Sequence, residues 1–167
     1  MRFGGQIDEL AGDLPGLEFV WEPATEILSG KILGAGGNRG YTGSIEFEDA
    51  RGAVLTLDVQ LGVFVGIEVV VWPAMGVVED LGAPEPDRQG RLVVSARPSQ
   101  PGIAIMEIDV PIAGRKSPDG AIVHFQVGEL GAKDRVAVAD GLVLELDRFG
   151  DLAGFWLIGV PPCPPPS

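Results

Sequence analysis

The sequence predicts an all-β domain, a sandwich or flattened barrel built from two pseudo-twofold-related strand-turn-strand units. Apolar and polar residues alternate over two short segments, as they do in half-buried strands. The chain contains 25 glycines and 14 prolines, which would interrupt any long helix. One strand-turn-strand pattern also occurs twice along the chain, and this indicates an internal repeat.

The first hairpin is predicted to run from Ala53 to Trp72. Apolar residues occupy alternate positions up to Val59, a period typical of a strand with one buried face. Gly62 marks a tight turn, and the strand that follows it is apolar at nearly every position. Pro73 ends this strand, because proline cannot donate a hydrogen bond to a neighbouring strand.

The second hairpin is predicted from Leu142 to Val160, with its turn at Gly150. Its first strand matches that of the first hairpin in a glycine, a valine, two leucines and an aspartate, so that Asp147 aligns with Asp58. The alternative is a coincidence between two hairpins that use the same turn chemistry. Duplication predicts a single domain, 1–167, with a first unit at about 17–80, a second at about 91–161 and a proline-rich tail at 162–167.

A duplicated chain of this kind is expected to place its two hairpins around one hydrophobic core. The segment from Ile112 to Glu129 has no counterpart in the first unit, so we expect it to be an insertion. It has a hairpin signal of its own between Lys116 and Gly120, where a proline is followed by Asp-Gly.

The first hairpin resembles a small bacterial domain family of unknown function. The resemblance rests on Leu55-Thr56-Leu57-Asp58 followed by Gly62-Val63-Phe64-Val65-Gly66-Ile67-Glu68-Val69. The second hairpin is similar but has Trp156 where the family would have glutamate. The resemblance covers about a quarter of the chain and implies a hairpin structure, without any catalytic residue.

The net charge of the chain limits the classes of partner that it is expected to bind. The net charge is −12, with 24 acidic and 12 basic residues, so the attraction that holds proteins on nucleic acids or anionic membranes is missing. No apolar run reaches the roughly 18 residues of a membrane span. The single cysteine, Cys163, cannot form an internal disulfide. We therefore expect a cytoplasmic protein that binds neither nucleic acid nor membrane.

A glycine-rich loop, Gly34 to Gly40, is the one candidate for phosphate binding. A dinucleotide or P-loop site needs a helix directly after the loop. The residues that follow, Tyr41 to Glu48, have the pattern of a strand instead. The loop is therefore predicted to be a flexible hairpin loop, and no cofactor is predicted.

Three residues are weak candidates for catalysis: Asp58, Asp147 and the single histidine, His124. The two aspartates could meet near a symmetry axis and act as an acid/base pair or bind a divalent cation. The competing interpretation is structural, since an aspartate at a strand end accepts hydrogen bonds from the amides of its own turn. A lone histidine in a strand is usually packed or solvated, and no metal site is predicted.

Two strands, Val69 to Trp72 and Phe155 to Ile158, are apolar at consecutive positions, so both of their faces need cover. Either they are central strands or a partner covers one face, and a homodimer is the simplest such partner. We therefore expect a non-enzymatic binding or assembly protein that contacts itself or another protein. The alternative is a small-molecule-binding β-barrel or an acid/base enzyme that uses Asp58, Asp147, Glu68 and His124.

Overall fold

Strands form all the regular structure in the computed structural model, which describes residues 3–95 and 105–165. This confirms the all-β prediction, and the described residues include no helix with the length and apolarity needed to span a bilayer. The described strands are β1 (Gly5–Glu9), β2 (Leu17–Glu22), β3 (Ile27–Ile32), β4 (Gly43–Glu48), β5 (Val54–Gln60), β6 (Val63–Val71), β7 (Met75–Val77), β8 (Arg88–Val94), β9 (Ile105–Asp109), β10 (Ile112–Lys116), β11 (Ile122–Val127), β12 (Asp134–Ala139), β13 (Leu142–Leu146) and β14 (Leu152–Ile158).

The strands hydrogen-bond into a single, strongly curled sheet with the shape of a half-barrel. One group of antiparallel neighbours has the order β2-β3-β6-β5-β4, and a second has the order β10-β11-β14-β13-β12. Each group therefore connects its strands in the same way along the chain. Strand β8 joins the groups, because it pairs with β6 and with β12.

The segment from Ile112 to Glu129 is not an insertion, contrary to the sequence-based expectation. It supplies β10 and β11, and β11 pairs with β14 in the same way that β3 pairs with β6. The predicted turn between Lys116 and Gly120 is present, and the Asp119 carboxylate accepts a hydrogen bond from the Ser117 hydroxyl within it. The expectation failed because β2 and β10 share no recognisable sequence.

The two predicted hairpins are present as β5–β6 and β13–β14, but their registers differ from the sequence alignment. Leu57 lies opposite Ile67, whereas Leu144 lies opposite Phe155. In structural terms Leu57 therefore corresponds to Leu144, and Leu146 lies nearer the turn. The reason is the turn itself, which is tight in the first hairpin and longer in the second.

One hydrophobic core lies beneath both groups of strands. Leu57 and Leu146 are 0% and 4% exposed, which confirms that both belong to the core. The Phe47 and Phe155 rings meet edge to face with centroids 6.4 Å apart, so the inner face of β4 contacts that of β14. The two hairpins therefore share one interior.

The outer faces of the two groups differ. On the second group, Trp156 and Val143 form a small apolar cluster with Leu14 and Leu81, which come from loops of the same chain. The need for cover on both faces of β14 is thus met within the chain. On the first group the outer face is polar and carries side chains such as Asp58.

The loop from Gly34 to Gly40 connects β3 to β4, and these two strands do not pair with each other. It is therefore a connection rather than the hairpin loop that was predicted, and a strand follows it, as expected. Its Gly37 lies against the β5–β6 turn, where a Cβ would overlap the Leu61 carbonyl oxygen. Only glycine fits there, so this glycine has a packing role.

Candidate functional site

A network of polar side chains lies on the outer face of the second group. Five neighbouring strands, β10 to β14, each contribute one residue. These residues are Arg115, His124, Arg135, Glu145 and Trp156. They share a face because Arg115, His124 and Trp156 are paired across neighbouring strands, as are Arg135 and Glu145, and paired residues point to the same side of a sheet. The two sets are on one side because Trp156 pairs with Val143, two residues before Glu145.

The Glu145 carboxylate is the centre of this network. Its Oε1 atom lies 2.5 Å from His124 Nε2, and its Oε2 accepts a hydrogen bond of 2.9 Å from Arg135 Nε. Arg115 Nε donates to His124 Nδ1 at 3.0 Å. Because a guanidinium can only donate, these partners assign the imidazole proton to Nε2.

Trp156 covers the network. Its ring centroid lies 4.3 Å from that of His124, and the Arg115 guanidinium lies 5.4 Å from the indole centroid. Gly154 lies opposite Glu145 on the neighbouring strand, and a Cβ there would come within 2.7 Å of Glu145 Oε1. The glycine therefore leaves the space that the carboxylate and imidazole occupy.

The pKa of the Glu145 carboxyl is lowered. Burial is the largest single influence and acts to raise this pKa, but the hydrogen bonds from His124 and Arg135 together lower it by more. The buried Trp156 N–H also favours the carboxylate. Both nitrogens of His124 are engaged and the residue is 7% exposed. In this arrangement neither ring nitrogen has a free lone pair with which to accept a proton.

Asp58 lies in β5, on the outer face of the first group. It is opposite Gly66, and Glu68 is its diagonal neighbour on β6. Burial, together with the negative charge of Glu68, raises the pKa of Asp58 to about 6. The structural role predicted for Asp58 at a turn is therefore wrong, because the residue is inside a strand.

Asp147 has the structural role that the sequence predicts for it. It follows β13, and its Oδ1 atom accepts hydrogen bonds of 2.8 Å from the Phe149 amide and 3.1 Å from the Asp151 amide. Asp58 corresponds in position to Glu145, since each lies opposite a glycine. The three predicted site residues thus lie in different places and form no common site.

Sequence reasoning missed the partners of His124. Glu145 is on the outer face of β13, but it is 3% exposed because Trp156 and Arg135 lie over it. The one available signal was Trp156, a large residue at an outward position of a strand. The described residues contain no group of three or more His, Cys, Asp or Glu side chains that could hold a metal ion.

A second feature is an apolar groove, which we call the Trp groove, between β2 of the first group and β7, β10 and β11 near the second. Its volume is about 450 Å³. Its lining includes Trp21, Trp72, Met75, Val123 and Pro161, together with the charged residues Glu26, Lys116 and Asp119. Asp58, Glu68, His124 and Asp147 do not line this groove, and they do not line the grooves around Leu33, around Pro111 or around Asn38.

Two stacked tryptophans form one side of the Trp groove. The Trp21 and Trp72 centroids are 5.8 Å apart, with 14° between the ring planes. The Trp72 ring also contacts the Phe125 ring, with their centroids 5.7 Å apart. The Trp72 indole N–H donates a hydrogen bond of 2.7 Å to the Glu26 carbonyl oxygen. Glu26 has a φ of 57°, which is strained for a side-chain-bearing residue. Trp72 is therefore held between the core and a strained turn.

The tail of the chain reaches the other side of the Trp groove. Val160 is buried and its amide donates to the Ala121 carbonyl at 3.0 Å. The next residue, Pro161, is exposed, and its carbonyl accepts a hydrogen bond of 2.8 Å from the Trp21 indole. The groove thus presents an aromatic surface and a donor that binds a backbone carbonyl.

No family model matches the chain, and comparison with curated proteins finds no relative. The likeness of the first hairpin to a bacterial domain family therefore stays a prediction.

Proposed function

We propose that the protein is a non-enzymatic binding module that acts through protein–protein contacts, with the Trp groove as its contact surface. The observation that carries this proposal is the Trp21 indole, which donates to a backbone carbonyl at the mouth of an apolar groove. Tryptophan combines a large apolar area with one directed donor, and it is enriched among residues that dominate binding energy at interfaces.

The experiment is a peptide array probed with the full-length protein. The array carries proline-rich, amphipathic-helical and strand-forming peptides. Trp21→Ala should reduce the retained signal at least about tenfold, since it removes both the ring and the donor. The control is Val20→Ala, because Val20 is the adjacent residue on the opposite face of β2 and is 52% exposed. Equal signals from the two variants, or no bound peptide of any class, would contradict the proposal.

The partner that we propose is another protein or a second copy of this chain. Light scattering over a range of concentrations distinguishes the two, since a homodimer has twice the mass of one chain. A single-chain mass at every concentration would exclude the homodimer and leave another protein as the partner.

The alternative, a small-molecule-binding barrel or an acid/base enzyme, has one supporting observation. Asp58 has a pKa of about 6 beside Glu68, so it can take up and release a proton near neutral pH. A small-molecule screen by NMR would favour this alternative if bound compounds shifted the resonances of Asp58 and Glu68 and left those of Trp21 and Trp72 unchanged.

The architecture that we propose is a duplicated unit with pseudo-twofold symmetry. The shared strand order of β2–β6 and β10–β14 supports it, and so does the common core. Superposing the first group on the second tests the symmetry. A rotation far from a half-turn would contradict a pseudo-twofold arrangement.

A further inference from the structure

We propose that the Trp groove binds a proline-rich segment of a partner protein in the polyproline II conformation. This inference rests on the proposed function and names the chemical class of its ligand. Three features support it: the hydrogen bond to Pro161, the rigidity of the tryptophan pair and the space that the tail leaves open.

Hydrogen bonding in the groove suits proline. A proline residue has no amide hydrogen, so a polyproline backbone offers only carbonyl acceptors. An indole offers only a donor. The 2.8 Å bond from Trp21 Nε1 to the Pro161 carbonyl is this pairing, formed here by the chain with its own tail.

The tryptophan pair provides a rigid apolar surface. The rings of Trp21 and Trp72 are nearly parallel, and Trp72 is fixed by its contact with Phe125 and its bond to the Glu26 carbonyl. A polyproline II segment is extended and stiff before it binds, so it loses little conformational entropy. A stiff ligand on a prearranged aromatic surface is the way in which proline-rich segments are generally recognised.

The tail accepts the hydrogen bond of the Trp21 indole but does not fill the groove. Residues Pro161 to Pro165 are all exposed, while Met75 and Val123 line the groove further along. The open volume of about 450 Å³ leaves room for side chains other than those of the tail. The partner's proline segment therefore takes the place of Pro161 at Trp21, and the tail competes with it.

The experiment measures fluorescence anisotropy of labelled octaproline with the full-length protein. The all-D octaproline is the matched control peptide, since it has the same composition and the opposite helical hand. We expect the L form to bind at least about tenfold more tightly than the D form. Trp21→Phe keeps an aromatic ring and removes the donor, so it should weaken binding roughly tenfold. Val20→Ala should leave binding unchanged, and circular dichroism verifies that each variant is folded.

A second variant tests competition by the tail. The variant combines Pro161→Ser, Pro162→Ser, Pro164→Ser and Pro165→Ser, which removes the polyproline bias of the tail at constant chain length. Binding of octaproline should become several-fold tighter. If octaproline binds neither the natural protein nor this variant, the inference is wrong. The proposed function survives that result if other peptides on the array bind in a Trp21-dependent way, and it fails with the inference if none does. Equal binding of the L and D peptides would also overturn the inference.

Discussion

Two carboxylates that occupy corresponding positions have opposite electrostatic environments. Glu145 has a lowered pKa because Arg135 and His124 hydrogen-bond to it, which outweighs its burial. Asp58 has a pKa raised to about 6 because it is partly buried and because the negative charge of Glu68 disfavours its ionised form. The ionised form is therefore stabilised by folding in one group of strands and destabilised in the other.

Glu145→Gln should lower the free energy of unfolding by about 3 kcal/mol at pH 7, because it removes the buried carboxylate that forms an ion pair with Arg135. A lowered folded-state pKa contributes stability that is complete above the usual value of 4.5 and is lost as the pH falls through the folded value. The difference between the natural protein and the variant should therefore narrow at acidic pH. Urea denaturation at several pH values measures this difference in the free energy of unfolding. The control is Glu79→Gln, in an exposed loop. A constant difference down to low pH would contradict the assignment.

Asp58→Asn should raise the free energy of unfolding at pH 7 by about 1 kcal/mol, a value reduced to allow for partial exposure. The folded-state pKa of Asp58 lies above its usual value of 3.8, so the natural protein loses stability as the pH rises from 3.8 towards 6. The variant lacks this loss, so the difference in the free energy of unfolding between the variant and the natural protein should increase across that pH interval. The same titration of urea midpoints tests the prediction, and parallel profiles for the two proteins would refute it.

At the scale of the elements, the turns distinguish the two hairpins. Leu61 and Gly62 form the β5–β6 turn with φ values of 47° and 85°, as in the type I′ turn, for which Asn-Gly is the preferred sequence. A leucine in this conformation is strained, because its Cβ approaches a neighbouring carbonyl. The second hairpin replaces the tight turn by the loop that Asp147 organises, and this difference shifts the register.

Leu61→Asn should therefore stabilise the protein by about 1 kcal/mol, since asparagine tolerates positive φ better than leucine does. Leu61 is 42% exposed, so little packing is lost. Thermal unfolding followed by circular dichroism measures the gain. Leu130→Asn is the control, because Leu130 is exposed to a similar extent, at 39%, and should change the stability by less than about 0.5 kcal/mol. Equal effects at the two sites would show that strain at Leu61 is not the cause.

At the scale of the whole molecule, the shared core determines how the two groups of strands unfold. Phe47 of β4 meets Phe155 of β14, and Trp72 meets Phe125, so each group of strands completes the core of the other. The inward-facing apolar residues of both groups belong to one main cluster, so the two groups share one interior. We therefore expect the described strands to unfold together.

Leu57→Ala and Leu146→Ala test this cooperativity, one in each hairpin. Each should lower the free energy of unfolding by roughly 2 to 5 kcal/mol, because each leaves a cavity in the core. Hydrogen exchange followed by mass spectrometry in increasing urea should show β5 and β13 losing protection at the same midpoint in each variant. Separate midpoints would contradict a single cooperative core, and near-neutral effects at both positions would contradict the register.

In the candidate sites, contacts within one turn could be predicted from the sequence, whereas contacts between distant strands could not. Asp147 was predicted to serve its own turn, and it does, because that role depends only on residues next to it in the chain. The partners of His124 come from strands distant in sequence, and their meeting depends on the order and register of β10 to β14. The Trp21–Trp72 pair likewise depends on the pairing of β2 with β3 and of β3 with β6.

Alternation of apolar residues and the placement of glycine and proline were enough to predict an all-β chain, its two clearest hairpins and the burial of Leu57 and Leu146. These features follow from local backbone geometry and from which face of a strand avoids water. The correspondence of Asp58 with Glu145, the integral role of β10 and β11, and the Trp groove emerged only with the folded chain. Each of them depends on how strands far apart in sequence align, and a shift in that alignment changes the neighbours of every side chain without altering the local pattern.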